Sequence, residues 1–141
     1  MLRAVLDSNV VLAADGSANP LSPNKEILSR WSAGEFVWLV TRDIAAEYAE
    51  KLLEKGNSPA EVEAFIAGLF LLAETVGIRF FHFRHYPVDA DDTIFLLCAI
   101  NGSAGHIVTY DKHLLDVGIF YDEFVTCRPT DFLKTLRAFR E

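Results

Sequence analysis

Carboxylates stand at Asp7, Glu47, the pair Asp91 and Asp92, and Asp111. Asp7 closes a short apolar run and Asp111 follows another. Asp91 and Asp92 open a long apolar segment, and Glu47 lies between Ile44 and Tyr48 in a helical pattern, bordering its apolar face. If these acids converge they repel: two carboxylates ~5 Å apart at an effective dielectric of ~20 cost about 3 kcal/mol. A divalent cation offsets that repulsion. Ligation by Asp and Glu oxygens alone suits Mg²⁺ or Mn²⁺ rather than zinc. One or two such ions can activate a water and stabilise the leaving oxygen of a phosphodiester. They would also reverse the field that otherwise keeps RNA from an acidic site.

Each acid alone has a plainer role. Asp89 fits a helix N-cap, and one of Asp91 and Asp92 is accounted for as a helix-dipole partner, because helical neighbours point ~100° apart. Glu47 fits an exposed i+4 partner of Lys51, and Asp111 fits a turn acid. On pattern alone, a shared metal site and a structural charge cluster both remain open.

Other chemistries find less support. Cys98 and Cys127 lie in apolar runs outside any zinc or redox spacing and read as reduced thiols. His82 and His85 lack a third ligand nearby. There is no Walker loop and no dinucleotide fingerprint, and no His is placed in sequence to make Ser8 a nucleophile. With 13 basic and 20 acidic residues the net charge is −7, which argues against holding nucleic acid by bulk positive charge. No stretch approaches the ~20 apolar residues of a membrane span. Asp7 interrupts the first apolar run, so no signal peptide is read, and a cytoplasmic protein is expected.

The elements that must position the acids alternate. Strands are expected at residues 3–7 (RAVLD), 36–41 (FVWLVT), 78–83 (IRFFHF), 106–109 (HIVT) and 124–127 (FVTC). Ser22-Pro23 opens a helix that Gly34 stops, and another runs from about Arg42 to Lys55, closed by Gly56. Ser58-Pro59-Ala60-Glu61 is a capping box for a helix reaching Gly77 with Val62, Phe65, Ile66, Leu69, Leu72, Ala73 and Val76 inward. Asp89 caps a buried helix to about Asn101, and Thr130 caps the last one. For its 141 residues, 51% of them hydrophobic, this predicts one domain over 1–141: an α/β three-layer sandwich with a five-stranded parallel sheet flanked by helices. In such a sheet ligands bind beyond the carboxyl ends of the strands, where strand order reverses. Asp7 and Asp111 are placed there.

At these positions the chain resembles the PIN-domain ribonuclease family. VLDSNV at residues 5–10 is similar to its opening strand and Asp-Thr/Ser-Asn motif, and Glu47 in TRDIAAEY matches its second acid. DADDTIFLLCA at residues 89–99 looks like the third motif, VTYDKHLL at 108–115 like the fourth, and RPTDFL at 128–133 like the final strand-to-helix junction. The resemblance runs in order from Asp7 to Phe132 and is closest to the stand-alone toxin branch of toxin–antitoxin systems (VapC-like).

The resemblance implies the five-stranded parallel sheet, Mg²⁺ or Mn²⁺ as cofactor, RNA as substrate, an antitoxin as partner and a homodimer. It carries Asp7, Glu47, Asp92 and Asp111 over as catalytic metal ligands. Asn9 and Thr109 carry over as residues that orient them. Helix register with Phe95 and Ala99 points to Asp92 as the third ligand, and Asp91 stays open. The chain departs from the family at Ala90, where Pro is frequent, and at Tyr110, where a small residue is common. Tyr110 either narrows the cleft or stacks on a base. Two rivals stand beside this reading. One is a non-catalytic PIN-like metal- or partner-binding module, which the intact four-acid set disfavours. The other is a phosphotransfer or receiver domain, whose nucleophile motif is missing because Ser8-Asn9 follows Asp7.

Overall fold

β1 (Arg3–Leu6), β2 (Val37–Val40) and β4 (His106–Val108) are apolar runs with nearly every side chain buried, as strands covered on both faces require. The computed structural model describes residues 1–83, 85–87 and 89–139. With β3 (Glu74–Thr75) and β5 (Val125–Cys127) these strands form a five-stranded sheet of order β3-β2-β1-β4-β5, parallel at every pairing. The expected α/β architecture is therefore the observed one. The order reverses between β1 and β4, which pair Leu6 with Val108, so a crevice is expected beyond those two strand ends.

Seven α-helices accompany the sheet among the described residues: α1 (Ser8–Ala14), α2 (Pro23–Ser32), α3 (Arg42–Lys55), α4 (Pro59–Leu72), α5 (Thr93–Asn101), α6 (Lys112–Gly118) and α7 (Pro129–Ala138). Several start as their sequences require. Ser22 and Thr41 accept from the backbone N–H groups of Lys25 and Ile44, and Ser58 and Glu61 complete a reciprocal capping box. The buried α5 packs on β1, β2 and β4. Trp38, Tyr48, Phe95 and Phe132 are the largest fully buried side chains. The Tyr48 hydroxyl donates to the Leu6 carbonyl, tying α3 to the end of β1 just before Asp7.

Four expectations need correction. Residues 78–83 form no strand; the third strand is Glu74–Thr75, paired with Leu39 and Val40 of β2. Helix α4 stops at Leu72, not Gly77, so Val76 follows the strand and Leu72 is exposed. Tertiary contacts decide this. Arg3 binds both Glu74 and the Gly102 carbonyl, and a Cβ on Gly102 would meet Val76 Cγ2 at 2.8 Å. Asn101 instead holds the 78–83 segment, its Oδ1 accepting from the Arg79 and Phe80 amides at 2.8 Å each. The last helix is capped by Arg128 with Pro129 in its first turn, not by Thr130, because proline already supplies the helical φ and needs no donor there. Finally, α1 and α6 arise where no helix is expected.

Helix α6 approaches β5 closely. A Cβ on Gly118 would lie 2.0 Å from Oγ1 and 2.7 Å from Cβ of Thr126. Gly118→Ala should therefore push the helix that begins after Asp111 off the sheet and cost about 1–3 kcal/mol. A lowered urea midpoint at unchanged m-value is the expected result. An unchanged midpoint would mean that the contact relaxes freely.

Candidate active site

Asp7 follows β1 directly and caps α1, its Oδ1 accepting from the Ser8 amide at 2.7 Å. Thr109 follows β4 and donates its hydroxyl to Asp7 Oδ2 at 2.6 Å. The same Thr109 oxygen accepts from the Asp111 amide at 2.8 Å. One side chain thus links the two strand ends. Asp111 caps α6, with Oδ1 accepting from the His113 amide at 2.8 Å. Asp92 ends a 3-10 turn (Ala90–Asp92) and precedes α5 without making a side-chain cap bond. Three helix starts therefore meet at one place, where their amides favour negative charge.

Asp7, Asp92 and Asp111 each offer an oxygen, and these atoms all lie within 4.8 Å of one another. Asp7 and Asp92 are only 5% and 6% exposed, so water does little to screen them. Burial pushes the Asp7 carboxyl up, against the hydrogen bonds from Thr109 and Ser8 that favour its charge. Burial likewise pushes Asp92 up to about 8, helped by the charges of Asp111 and Asp7 and by a hydrogen bond to Asp111 that needs a protonated carboxyl. Asp92 Oδ2 is buried with no hydrogen-bond partner among the described residues. A proton thus does in part what a cation would do better. The oxygen-only donor set and the orphaned oxygen both fit a divalent ion held by these three acids.

This charge balance has a measurable consequence for the metal-free protein. Between the ordinary value of Asp92, 3.8, and its raised value of about 8, the folded chain keeps a proton that the unfolded chain has lost. Stability then falls as pH rises. Glu26 and Glu74, held low first by hydrogen bonds from arginines, act in the opposite sense, but only near and below the ordinary carboxylate range. With EDTA present, the melting temperature should be higher at about pH 5.5 than at about pH 8. Saturating Mg²⁺ should close much of that gap. A flat or rising metal-free profile would contradict the raised carboxyl.

The remaining expected residues lie outside this three-acid group. Glu47, on α3, is half-buried and lies outside the three-acid set. Burial raises its carboxyl most, Lys51 opposes, and Asp7 and Asp91 raise it further. It therefore senses the cluster, although Lys51 also pairs with Glu54 at 3.6 Å. Asp91 is exposed, and its amide donates to Asp89 Oδ1 at 2.9 Å. Asn9 Oδ1 accepts from the Tyr110 amide at 3.3 Å, and the Asn9 side chain favours the charged form of Asp7. The Ser8 hydroxyl is buried with no partner among the described residues, so no base there activates it. Asn24 was not anticipated: it is buried in the first turn of α2, and its Nδ2 donates to the Tyr110 hydroxyl at 2.9 Å. No local pattern pairs residues so far apart in the chain.

Compared with protein families, residues 3–113 match a family model described as PIN domain. The chain belongs to the PIN-domain family. No curated protein matches it. PIN domains are generally nucleases that act on RNA with divalent metals, and this PIN domain gathers three acids able to hold one. No helix among its described residues is long and apolar enough to cross a membrane.

Proposed function

We propose that this PIN domain, read as a single domain over 1–141, is an endoribonuclease that depends on Mg²⁺ or Mn²⁺ and hydrolyses RNA phosphodiester bonds. Asp7, Asp92 and Asp111 hold the ion, and Glu47 contributes directly or through water. The observation that carries this reading is the buried Asp92 oxygen left without a partner beside two further carboxylates. When bound, a divalent ion supplies an activated water and neutralises charge at the phosphodiester. The chain's own groups set the arrangement. Thr109 fixes Asp7 and the Asp111 backbone together, Asn9 holds the Tyr110 amide, and the Ser8 and His113 amides orient one oxygen each of Asp7 and Asp111. Arg42 and Lys112 are exposed near these motifs and are candidates for phosphate contacts.

The resemblance to the VapC-like branch supports a toxin role in the cytoplasm, as a homodimer restrained by an antitoxin. An inhibitor matched to this acidic cleft would present Arg or Lys beside an apolar anchor. The test is incubation of a mixed single-stranded RNA pool with each divalent cation. Cleavage that needs Mg²⁺ or Mn²⁺ and stops with EDTA is expected. Metal binding without cleavage of any RNA would favour the non-catalytic module instead.

A further inference from the structure

Tyr110 lies between Thr109, bonded to Asp7, and Asp111. Its position is therefore set by the same contacts that set the acids. Its amide donates to Asn9 Oδ1 at 3.3 Å, and its hydroxyl accepts from Asn24 Nδ2 at 2.9 Å. Asn24 is only 5% exposed, while Tyr110 remains 38% exposed. The ring is thus tied at its backbone and at its far end, and a substantial part of it still meets solvent. Asn24 Oδ1 is buried with no partner among the described residues, so this amide is held at a cost in hydrogen bonding. The bond its Nδ2 does make fixes the phenol.

A fixed, partly open aromatic ring beside a phosphodiester-cleaving site has a definite use. The protein carries a net charge of −7, and its acids repel phosphates until a cation intervenes. Affinity for a nucleic acid strand must come largely from contacts other than charge. Stacking on a base supplies such a contact, and every unpaired base offers a face for it. A ring already immobilised loses little freedom on binding.

We propose that Tyr110, positioned by Asn24, is the stacking platform for an unpaired base next to the scissile phosphate. This rests on the ribonuclease reading above. It assigns Tyr110 to substrate contact and Asn24 to positioning, and it makes an unpaired segment the favoured ligand at this rim.

The test measures equilibrium binding of a labelled single-stranded RNA, and of the same strand annealed to its complement, to wild type, Tyr110→Phe, Tyr110→Leu and Asn24→Leu. KM and kcat for cleavage and calorimetric Mn²⁺ binding are followed in parallel. Tyr110→Leu should weaken single-strand binding roughly ten- to a hundredfold and leave duplex and Mn²⁺ binding unchanged, with the loss appearing in KM. Tyr110→Phe keeps the ring and should retain most of the affinity. Asn24→Leu, which frees the ring, should fall between them. Equal single-strand affinity of wild type and Tyr110→Leu would overturn the proposal, and so would equal losses on single strand and duplex. Cleavage that ignores Tyr110 would overturn the platform alone. Tyr110-dependent binding without cleavage would overturn the nuclease reading alone. A wild-type protein that binds no RNA would overturn both.

Discussion

Asp7→Asn should lower kcat/KM for RNA cleavage by on the order of 10²–10³-fold while the fold survives. Asparagine matches the carboxylate in shape. Its oxygen can still accept from either the Ser8 amide or the Thr109 hydroxyl, the two donors that now hold Asp7. It cannot supply the negative charge or the second oxygen that an ion shared with Asp92 and Asp111 requires. Removing the charge also relieves the repulsion that Asp111 exerts on Asp7, so the metal-free protein should be no less stable. Cleavage rates measured with melting curves separate the two effects. Full activity in Asp7→Asn would remove Asp7 from the chemistry. Lost activity together with a lower melting temperature would make it chiefly a cap for α1.

Asp92→Asn should produce opposite changes in stability and function. The Asp92 carboxyl is held high, through burial first and then through Asp111 and Asp7. Deleting its charge at about pH 8 removes a repulsion on the order of 1–3 kcal/mol, which corresponds to a rise of about 3–10 °C in metal-free melting temperature for a chain of this size. The same substitution should abolish the further rise that Mg²⁺ or Mn²⁺ gives the wild type, and with it cleavage. It should also flatten the fall in stability between about pH 5.5 and pH 8. A large loss of metal-free stability would instead assign Asp92 to holding the start of α5, where it makes no side-chain cap bond.

The acids at the strand ends are legible in the sequence because their placement is local. An Asp immediately after an apolar strand lies at the rim of a parallel sheet wherever strand order reverses, and Asp7 and Asp111 obey that rule. Asp92 follows from helical register with Phe95 and Ala99, and its exposed neighbour Asp91 is not part of the three-acid group. Glu47 is legible as a border residue of α3, and it remains one in space. The parallel sheet follows from alternation; its strand order, β3-β2-β1-β4-β5, comes from the structure. Helices α1 and α6 escape the reading because each spans seven residues, about two turns, too few for a periodic signal. Their start signals were present: Asp7 and Asp111 are their N-caps, and an acid serving as both cap and cluster member is easily assigned one role alone.

The third strand lies earlier in the chain than its propensity suggests, for a different reason. Residues 78–83 are rich in aromatic and β-branched side chains, but strand propensity measures fit to a pleated surface, and no neighbouring strand reaches them. The ion pair of Arg3 with Glu74 and the close packing at Gly102 place the pairing earlier in the chain. The Asn24–Tyr110 contact is invisible for the same reason: it exists only once α2 and the end of β4 have been brought together by the fold.

The most direct test of the account is analysis of the RNA ends left by the wild-type protein on a mixed single-stranded pool with Mg²⁺ or Mn²⁺. The site offers clustered carboxylates; of the hydroxyls beside them, that of Thr109 is engaged in holding Asp7 and the Asp111 amide, and that of Ser8 has no hydrogen-bond partner among the described residues to act as its base. The attacking group should therefore be water, not a side chain or the ribose 2′-hydroxyl. Water attack that expels the 3′-oxygen leaves a 5′-phosphate on one fragment and a 3′-hydroxyl on the other, and these are the ends predicted. Products that end in a 2′,3′-cyclic phosphate and begin with a 5′-hydroxyl would contradict it.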